Sequence, residues 1–117
     1  MTKPLCIVIG VGPGNGASFA RRFSSDAHHV AILARNANYL NSLAKTIPQC
    51  HAFPCDVQKP KALRKTLAEV AARLGPASVM IYNAGEGEWR PPEETTLEGF
   101  ESSWRTNALG LLVSAQA

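Results

Sequence analysis

The segment Leu5-Cys-Ile-Val-Ile-Gly-Val-Gly-Pro-Gly-Asn-Gly-Ala17 decides the fold of this chain. Five apolar residues of strand length, Leu5–Ile9, run into a glycine-rich turn, and a helical pattern begins directly after the turn. Glycines let the backbone approach a pyrophosphate closely, and the free amides and positive end of the next helix attract its charge. Strand, turn and helix together favour a nucleotide site over a merely structural turn.

Further apolar runs of strand length follow at Val30–Ala34, His51–Pro54 and Ser78–Tyr82. They are continuously hydrophobic, which is typical of strands covered on both faces. Helical patterns separate them, and the clearest is a stripe that Gly75-Pro76 ends. Its apolar members are Leu63, Leu67, Val70, Ala71 and Leu74.

This alternation predicts an α/β protein with a Rossmann-like, doubly wound parallel sheet. We expect one domain over residues 1–117, truncated after about four strands and the following helix. The predicted strand order is 3-2-1-4, and a turn-rich segment from Gly85 to Thr96 leads to a last helix that begins near Leu97.

The composition of the 117 residues, 45% apolar and 18% charged, is that of an ordinary soluble globular domain. No apolar run reaches the length of a membrane span, and the first strand lacks the basic lead-in of a signal peptide. The three cysteines, Cys6, Cys50 and Cys55, form an odd set without a Cys-x-x-Cys pair, which fits a reducing compartment. We therefore expect a cytoplasmic protein without membrane contact.

Two further kinds of site are disfavoured by the sequence. A metal site at Cys50, His51 and Cys55 lacks a further ligand pair, so we expect no metal and three buried or half-buried cysteines. The net charge is +3, and the densest group of basic residues is typical of a solvated helix face. That group is Lys59, Lys61, Arg64 and Lys65, and without interleaved aromatic residues it does not predict nucleic-acid binding.

The spacing of the glycines can be interpreted in three ways. A common dinucleotide fold has glycines at the first, third and sixth places after the strand, but the sixth place here is Asn15. A methyltransferase-like turn could use Gly12, Gly14 and Gly16. In that family acidic residues precede the turn and end the second strand, whereas Gly10 and Ala34 stand there, so S-adenosylmethionine binding is the alternative.

The third interpretation, Gly10-x-x-x-Gly14-x-Gly16, resembles the glycine motif of the short-chain dehydrogenase/reductase family. Asn15 lies inside this motif and belongs to the same expected cofactor site. Ile9 stands where the family usually has a threonine that braces the turn, which indicates a variant turn.

Three more features agree with this resemblance and imply a cofactor site. Arg35 ends the second strand where members that prefer NAD have a carboxylate, and its cation suits the 2′-phosphate of NADP (NADPH). Asp56-Val57 resembles the pair that contacts adenine, although Asp56 could equally be the N-cap of the next helix. Asn83-Ala84-Gly85 is similar to the family signature that stabilises the sheet and lines the cofactor cleft. Tyr82 replaces a second asparagine found in many members.

Asn107, in Thr106-Asn107-Ala-Leu-Gly110, resembles the active-site asparagine of the family and is the catalytic candidate in this chain. Inside an apolar helix, its amide either satisfies a neighbouring group or serves a site. The resemblance assigns it a water-mediated proton relay to a lysine that lies downstream in the family. The family's catalytic tyrosine and serine also lie downstream, since neither Tyr39 nor Tyr82 is followed by Lys four residues later.

The resemblance implies hydride transfer between a nicotinamide and a carbonyl or alcohol carbon of a small-molecule substrate. The resemblance is also compatible with a homo-oligomer of the intact protein. We expect this chain to be the cofactor-binding part, with Trp89 and Arg90 beside the cleft. The alternative is a non-catalytic, truncated protein that binds NADP or pairs with a partner.

Overall fold

The computed structural model describes residues 3–87 and 89–117, so that Met1, Thr2 and Glu88 of the predicted domain lie outside it. Four parallel strands form one sheet in the order β3-β2-β1-β4, which confirms the predicted order. The strands are β1 (Leu5–Ile9), β2 (His29–Ala34), β3 (Cys50–Pro54) and β4 (Ala77–Tyr82). Their ends lie at the predicted residues, and their starts differ from prediction by one residue at most.

The first three helices are α1 (Asn15–Ser25), α2 (Ala37–Thr46) and α3 (Pro60–Leu74). After β4 come a short 3₁₀ turn (Pro92–Glu94), α4 (Leu97–Trp104), a π-helical turn (Arg105–Leu109) and α5 (Gly110–Gln116). Side-chain oxygens cap two of the helices, because Asn36 accepts from the Tyr39 amide at 3.0 Å and Thr96 from the Gly99 amide at 2.9 Å. Across residues 3–87 and 89–117, no helix combines the length and apolar character that a membrane crossing needs.

Both faces of the central strands β1 and β2 are covered, as their continuous apolar runs predict, whereas β4 is exposed or only partly buried along its length. One core lies between the sheet and α3 with α5, and the other lies between the sheet and α1 with α2. Residues of β1 alternate between them, with Ile7 in the first core and Val8 in the second. The predicted stripe of α3 is buried at Leu63, Leu67 and Val70 and partly at Leu74. The prediction that Ala71 belongs to this stripe is wrong, because Ala71 is exposed.

The cysteines are buried or half-buried, as predicted. Cys50 packs against the core of α1 and α2, whereas Cys55 belongs to the core of α3, so their side chains face opposite sides of the sheet. Burial raises the pKa of Cys6 and of Cys50 to about 11, which keeps both thiols protonated at neutral pH. The described residues bring no three of the His, Cys, Asp and Glu side chains together as a metal site.

β4 is an edge of the sheet in the described part of the chain, and Met80 on it is exposed. The last helices also present apolar side chains to solvent: Leu97, Phe100, Trp104, Leu111 and Leu112. An unpaired strand next to exposed apolar surface is a feature that proteins normally cover.

Two histidine rings lie side by side on the neighbouring strands β2 and β3, on the side of the sheet that α3 covers. The rings of His29 and His51 lie 5.8 Å apart, and His29 Nδ1 and His51 Nε2 are buried without a hydrogen-bond partner. Burial lowers the pKa of His51, and the charges of His29 and Arg73 lower it further. His51 therefore remains a neutral imidazole in the folded protein at neutral pH.

We predict that His51 makes the protein acid-sensitive. Its pKa is lower in the folded than in the unfolded state, so its contribution to stability is complete above about pH 6.5 and is lost as the pH falls below that value. The stability of wild type relative to His51→Gln should therefore decline between pH 7.5 and pH 5, as measured by urea unfolding midpoints. Parallel pH profiles for the two proteins would contradict this assignment.

Candidate functional site

The turn after β1 requires glycine at two positions because the backbone is crowded there. Gly10 has φ +90°, its amide donates to Leu33 O at 2.8 Å, and a Cβ on it would collide with the backbone of Ala84. A Cβ on Gly16 would lie 2.7 Å from both Gly10 O and the Cα of Val11. These glycines bring α1, β1 and the end of β4 close together.

The other glycines of the turn face open space. A Cβ on Gly12 or Gly14 would meet nothing within 4 Å. Gly14 precedes α1 as its N-cap residue, and the amides of Gly14, Asn15 and Gly16 have no acceptor among the described residues. Free amides at a helix N-terminus beside an open space fit a phosphate group.

A cleft of about 360 Å³ opens across the carboxyl ends of the strands. Most of the predicted cofactor residues line it: Gly10, Arg35, Asp56, Val57, Asn83, Ala84 and Gly85. Gly14 and Asn15 are exposed at the start of α1 and Gly16 is buried under the turn, so these three lie outside the wall of the cleft. The cleft occupies the place where open α/β sheets bind their ligands.

Arg35 stands at the end of β2 and forms no ion pair with another residue in the ranges described. A shallow depression continues from the cleft along Val11, Ala34, Arg35 and Asn36. The exposed guanidinium is therefore free to bind an anion that lies beside the cleft.

Asp56 does not cap α3. Its Oδ1 accepts from the amide of Gln58 at 2.9 Å, which closes a local turn, and α3 begins only at Pro60, after Lys59. The interpretation of Asp56 as an N-cap is therefore wrong. The basic group on α3 that starts at Lys59 is exposed, as the prediction of a solvated face requires.

Asn83-Ala84-Gly85 fastens β4 to the glycine turn. The amide of Asn83 donates to Ile9 O at 2.7 Å, and its side-chain Nδ2 donates to Gly10 O at 3.1 Å. Ala84 supplies the backbone on which Gly10 lies. The motif thus stabilises the centre of the sheet and at the same time forms part of the cleft wall.

Asn107 lies in the π-helical turn, a local irregularity that often marks a functional site. Its side chain is exposed, and it makes a two-way contact with one residue. Asn107 Oδ1 accepts from the amide of Glu86 at 2.8 Å, and Nδ2 donates to Glu86 O at 2.7 Å. The amide of Asn107 thus satisfies a neighbouring backbone, which was one of the two predicted explanations for its position.

Glu86 and its partners were missed by sequence reasoning. The carboxylate of Glu86 lines the cleft and accepts from Ser102 Oγ at 2.7 Å, Thr106 Oγ1 at 3.0 Å and Gln58 Nε2 at 3.0 Å. The hydrogen bonds from Ser102 and then Thr106 hold the pKa of Glu86 below its usual range, and Arg35 adds a smaller effect. The i, i+4 spacing of Ser102 and Thr106 on one helical face was the available signal.

Trp89 and Arg90, in the segment after β4, were predicted to lie beside the cleft. Trp89 is 99% exposed, and neither Trp89 nor Arg90 is part of the cleft wall. The residues after β4 that form the wall are the Asn-Ala-Gly motif and Glu86, which immediately follows it.

Residues 4–117 match the family model described as short chain dehydrogenase, and the chain belongs to the short-chain dehydrogenase/reductase family. This membership favours the third interpretation of the glycine turn over S-adenosylmethionine binding. It also makes the chain part of an oxidoreductase family.

The chain is 28% identical to a 3-oxoacyl-[acyl-carrier-protein] reductase of Rattus norvegicus, over 97% of this chain and 48% of that protein. It is 30% identical to an L-fucose dehydrogenase of Bos taurus, over 89% of this chain and 39% of that protein. A blue fluorescent protein from a metagenomic library, solved with NADPH, superposes with a TM-score of 0.93 at 26% identity, over 99% of this chain and 50% of that one. The chain spans about half the length of the relatives it matches.

We predict that Gly10→Ala destabilises the fold by about 2–4 kcal/mol, because it combines backbone strain at positive φ with a clash against Ala84. Gly12→Ala is the matched control, since the same methyl group enters open space two residues away. Urea unfolding should show a lower midpoint for Gly10→Ala and a midpoint near wild type for Gly12→Ala. Equal midpoints for the two variants would refute the close approach of the turn to β4.

Proposed function

We propose that the protein containing this chain is an NADP-dependent oxidoreductase that transfers hydride between the nicotinamide and a carbonyl or alcohol carbon. In this proposal residues 1–117 form its cofactor-binding part. The observation that carries the proposal is that the free helix amides and the open glycine turn stand beside the same cleft that the cation of Arg35 lines.

The residues of the cleft, together with the start of α1 beside it, fit the successive parts of a dinucleotide. The amides of Gly14, Asn15 and Gly16 would hold the pyrophosphate, for which the open space at Gly14 leaves room. Asp56 would bind the adenine through its Oδ2, which has no partner among the described residues. Asn83, Ala84 and Gly85 would form the wall along which the cofactor lies.

Preference for NADP over NAD is proposed on the charge at the end of β2. Arg35 presents a fork of donors where a carboxylate would bind the ribose hydroxyls of NAD. The sequence contains no acidic residue from His28 through Gln49, so no nearby carboxylate along β2 and α2 repels a 2′-phosphate. A relative solved with NADPH is consistent with this choice.

The bound nicotinamide would supply or accept the hydride. Asn107 is the candidate of this chain for the reaction itself, since its carboxamide is held by the backbone of Glu86, a residue of the cleft wall, although Asn107 is not part of that wall. General acid–base groups for the carbonyl or alcohol would come from outside these 117 residues. The reductase and dehydrogenase relatives support a small-molecule carbonyl or alcohol as the substrate class.

We predict that Gly14→Val abolishes most NADPH binding without unfolding the protein. The valine side chain would fill the open space in which the pyrophosphate is proposed to lie, and no protein atom lies within 4 Å of its Cβ position. Loss of even two hydrogen bonds to the phosphates would weaken binding roughly a hundredfold. Calorimetric titration with NADPH measures this, with the thermal midpoint as the folding control. A folded Gly14→Val protein with unchanged affinity would show that the turn does not hold the cofactor.

We predict that Arg35→Ala weakens NADPH binding by about ten- to a hundredfold, because a charge-assisted hydrogen bond is worth about 1.5–3 kcal/mol. Binding of NADH should change little, and Arg35→Asp should reverse the preference. The matched control is Arg21→Ala, which removes a cation from the exposed face of α1. The measurement is the dissociation constant of NADPH and of NADH at fixed salt for wild type and each variant. Equal losses for NADPH and NADH would show that Arg35 supports the loop instead of binding the phosphate.

A further inference from the structure

Three charged side chains line the cleft, and Asp56 follows β3 at the edge of the sheet opposite β4. Arg35 follows β2, Glu86 follows β4, and the glycine turn after β1 lies between them because β1 is placed between those strands. A dinucleotide that reaches along the strand ends with its phosphorylated ribose at Arg35 therefore has its other end toward Glu86. This part of the argument rests on the proposed function.

Glu86 is held in place more firmly than an ordinary surface glutamate. Its two carboxylate oxygens receive hydrogen bonds from Ser102, Thr106 and Gln58, which come from α4, the π-helical turn and the segment after β3. Three donors from separate elements fix the position of the carboxylate. The same donors favour its ionised form, so the group carries a full negative charge at neutral pH.

The backbone of Glu86 binds the carboxamide of Asn107 in both directions. The carboxylate of Glu86 and the candidate active-site residue are therefore parts of one hydrogen-bonded unit. Any group that reacts beside Asn107 does so close to this fixed negative charge.

We propose that Glu86 is a specificity-determining residue that favours the oxidised over the reduced form of the cofactor. The oxidised nicotinamide ring carries a positive charge and the reduced ring carries none, while the remaining parts of the two forms are the same. A fixed carboxylate near the ring attracts the first form and is nearly indifferent to the second. The change in the ratio of the two affinities when Glu86 is neutralised therefore measures the electrostatic effect of Glu86, because the other charged groups of the cleft, Asp56 and Arg35, stay the same.

The test compares dissociation constants for NADP⁺ and NADPH, measured by calorimetry at pH 7.5 and fixed salt. Glu86→Gln should weaken binding of NADP⁺ by about three- to tenfold, the effect of one partly solvated charge pair, and leave NADPH within about twofold. Glu86→Asp retains the charge and should retain most of the preference. Glu69→Gln, which removes the same charge from the exposed side of α3, is the control and should leave the ratio of the two constants unchanged.

Each result has one meaning. In a Glu86→Gln protein that keeps the wild-type melting temperature, an unchanged ratio of the two constants would show that the carboxylate does not sense the ring, whether both affinities fall equally or neither changes; this result overturns the inference and leaves the proposed function standing. Binding of neither form by the wild type would overturn the proposed function and this inference with it. A misfolded Glu86→Gln protein would lose both cofactors together, and Glu86→Asp would then decide whether the charge or the fold was responsible.

Discussion

The close approach of the glycine turn to the end of β4 is the constraint on which the rest of the site depends. Gly10 lies against the backbone of Ala84, and Asn83 binds both Ile9 and Gly10. Because of these contacts, the segment that leaves β4 is fixed relative to the turn that leaves β1. The residues that follow, Gly85 and Glu86, then enter the cleft at a defined place.

Hydrogen bonds connect this fixed end of β4 to the helical segment near the end of the chain. Glu86 binds Asn107 through its backbone, and through its carboxylate it binds Gln58, Ser102 and Thr106. Tyr82 adds a second connection, because its hydroxyl donates to Thr106 O. A side chain at position 110 would collide with that hydroxyl, so Gly110 and Tyr82 fit together. Tyr82, which stands where many family members have an asparagine, is thus accommodated by the glycine at the start of α5.

The strands, their order and the glycine turn could be predicted from sequence because each depends on local patterns. Apolar runs, helix stripes and turn residues are read within a few positions of one another. The local pattern was insufficient at Asp56, because an aspartate four residues before a proline can either cap the helix or close a turn of its own. In the structure Asp56 closes the turn. The bonds from Gln58 to Ser102 and Thr106 join residues 44 and 48 positions apart, and a single sequence does not indicate such pairs. The position of Asn107 in a π-helical turn is likewise set by packing.

The strand order also has a consequence for how the chain acquires its shape. β1 pairs with β2 across one helical connection, but the bond between Asn83 and Gly10 joins residues 73 positions apart. Closing a longer loop costs more chain entropy, so we expect β1, β2 and β3 to associate early and β4 to dock late. Residues from Asn83 onward complete the cleft only at that final docking. A partly folded chain could therefore contain most of its sheet and still have no place for a nucleotide.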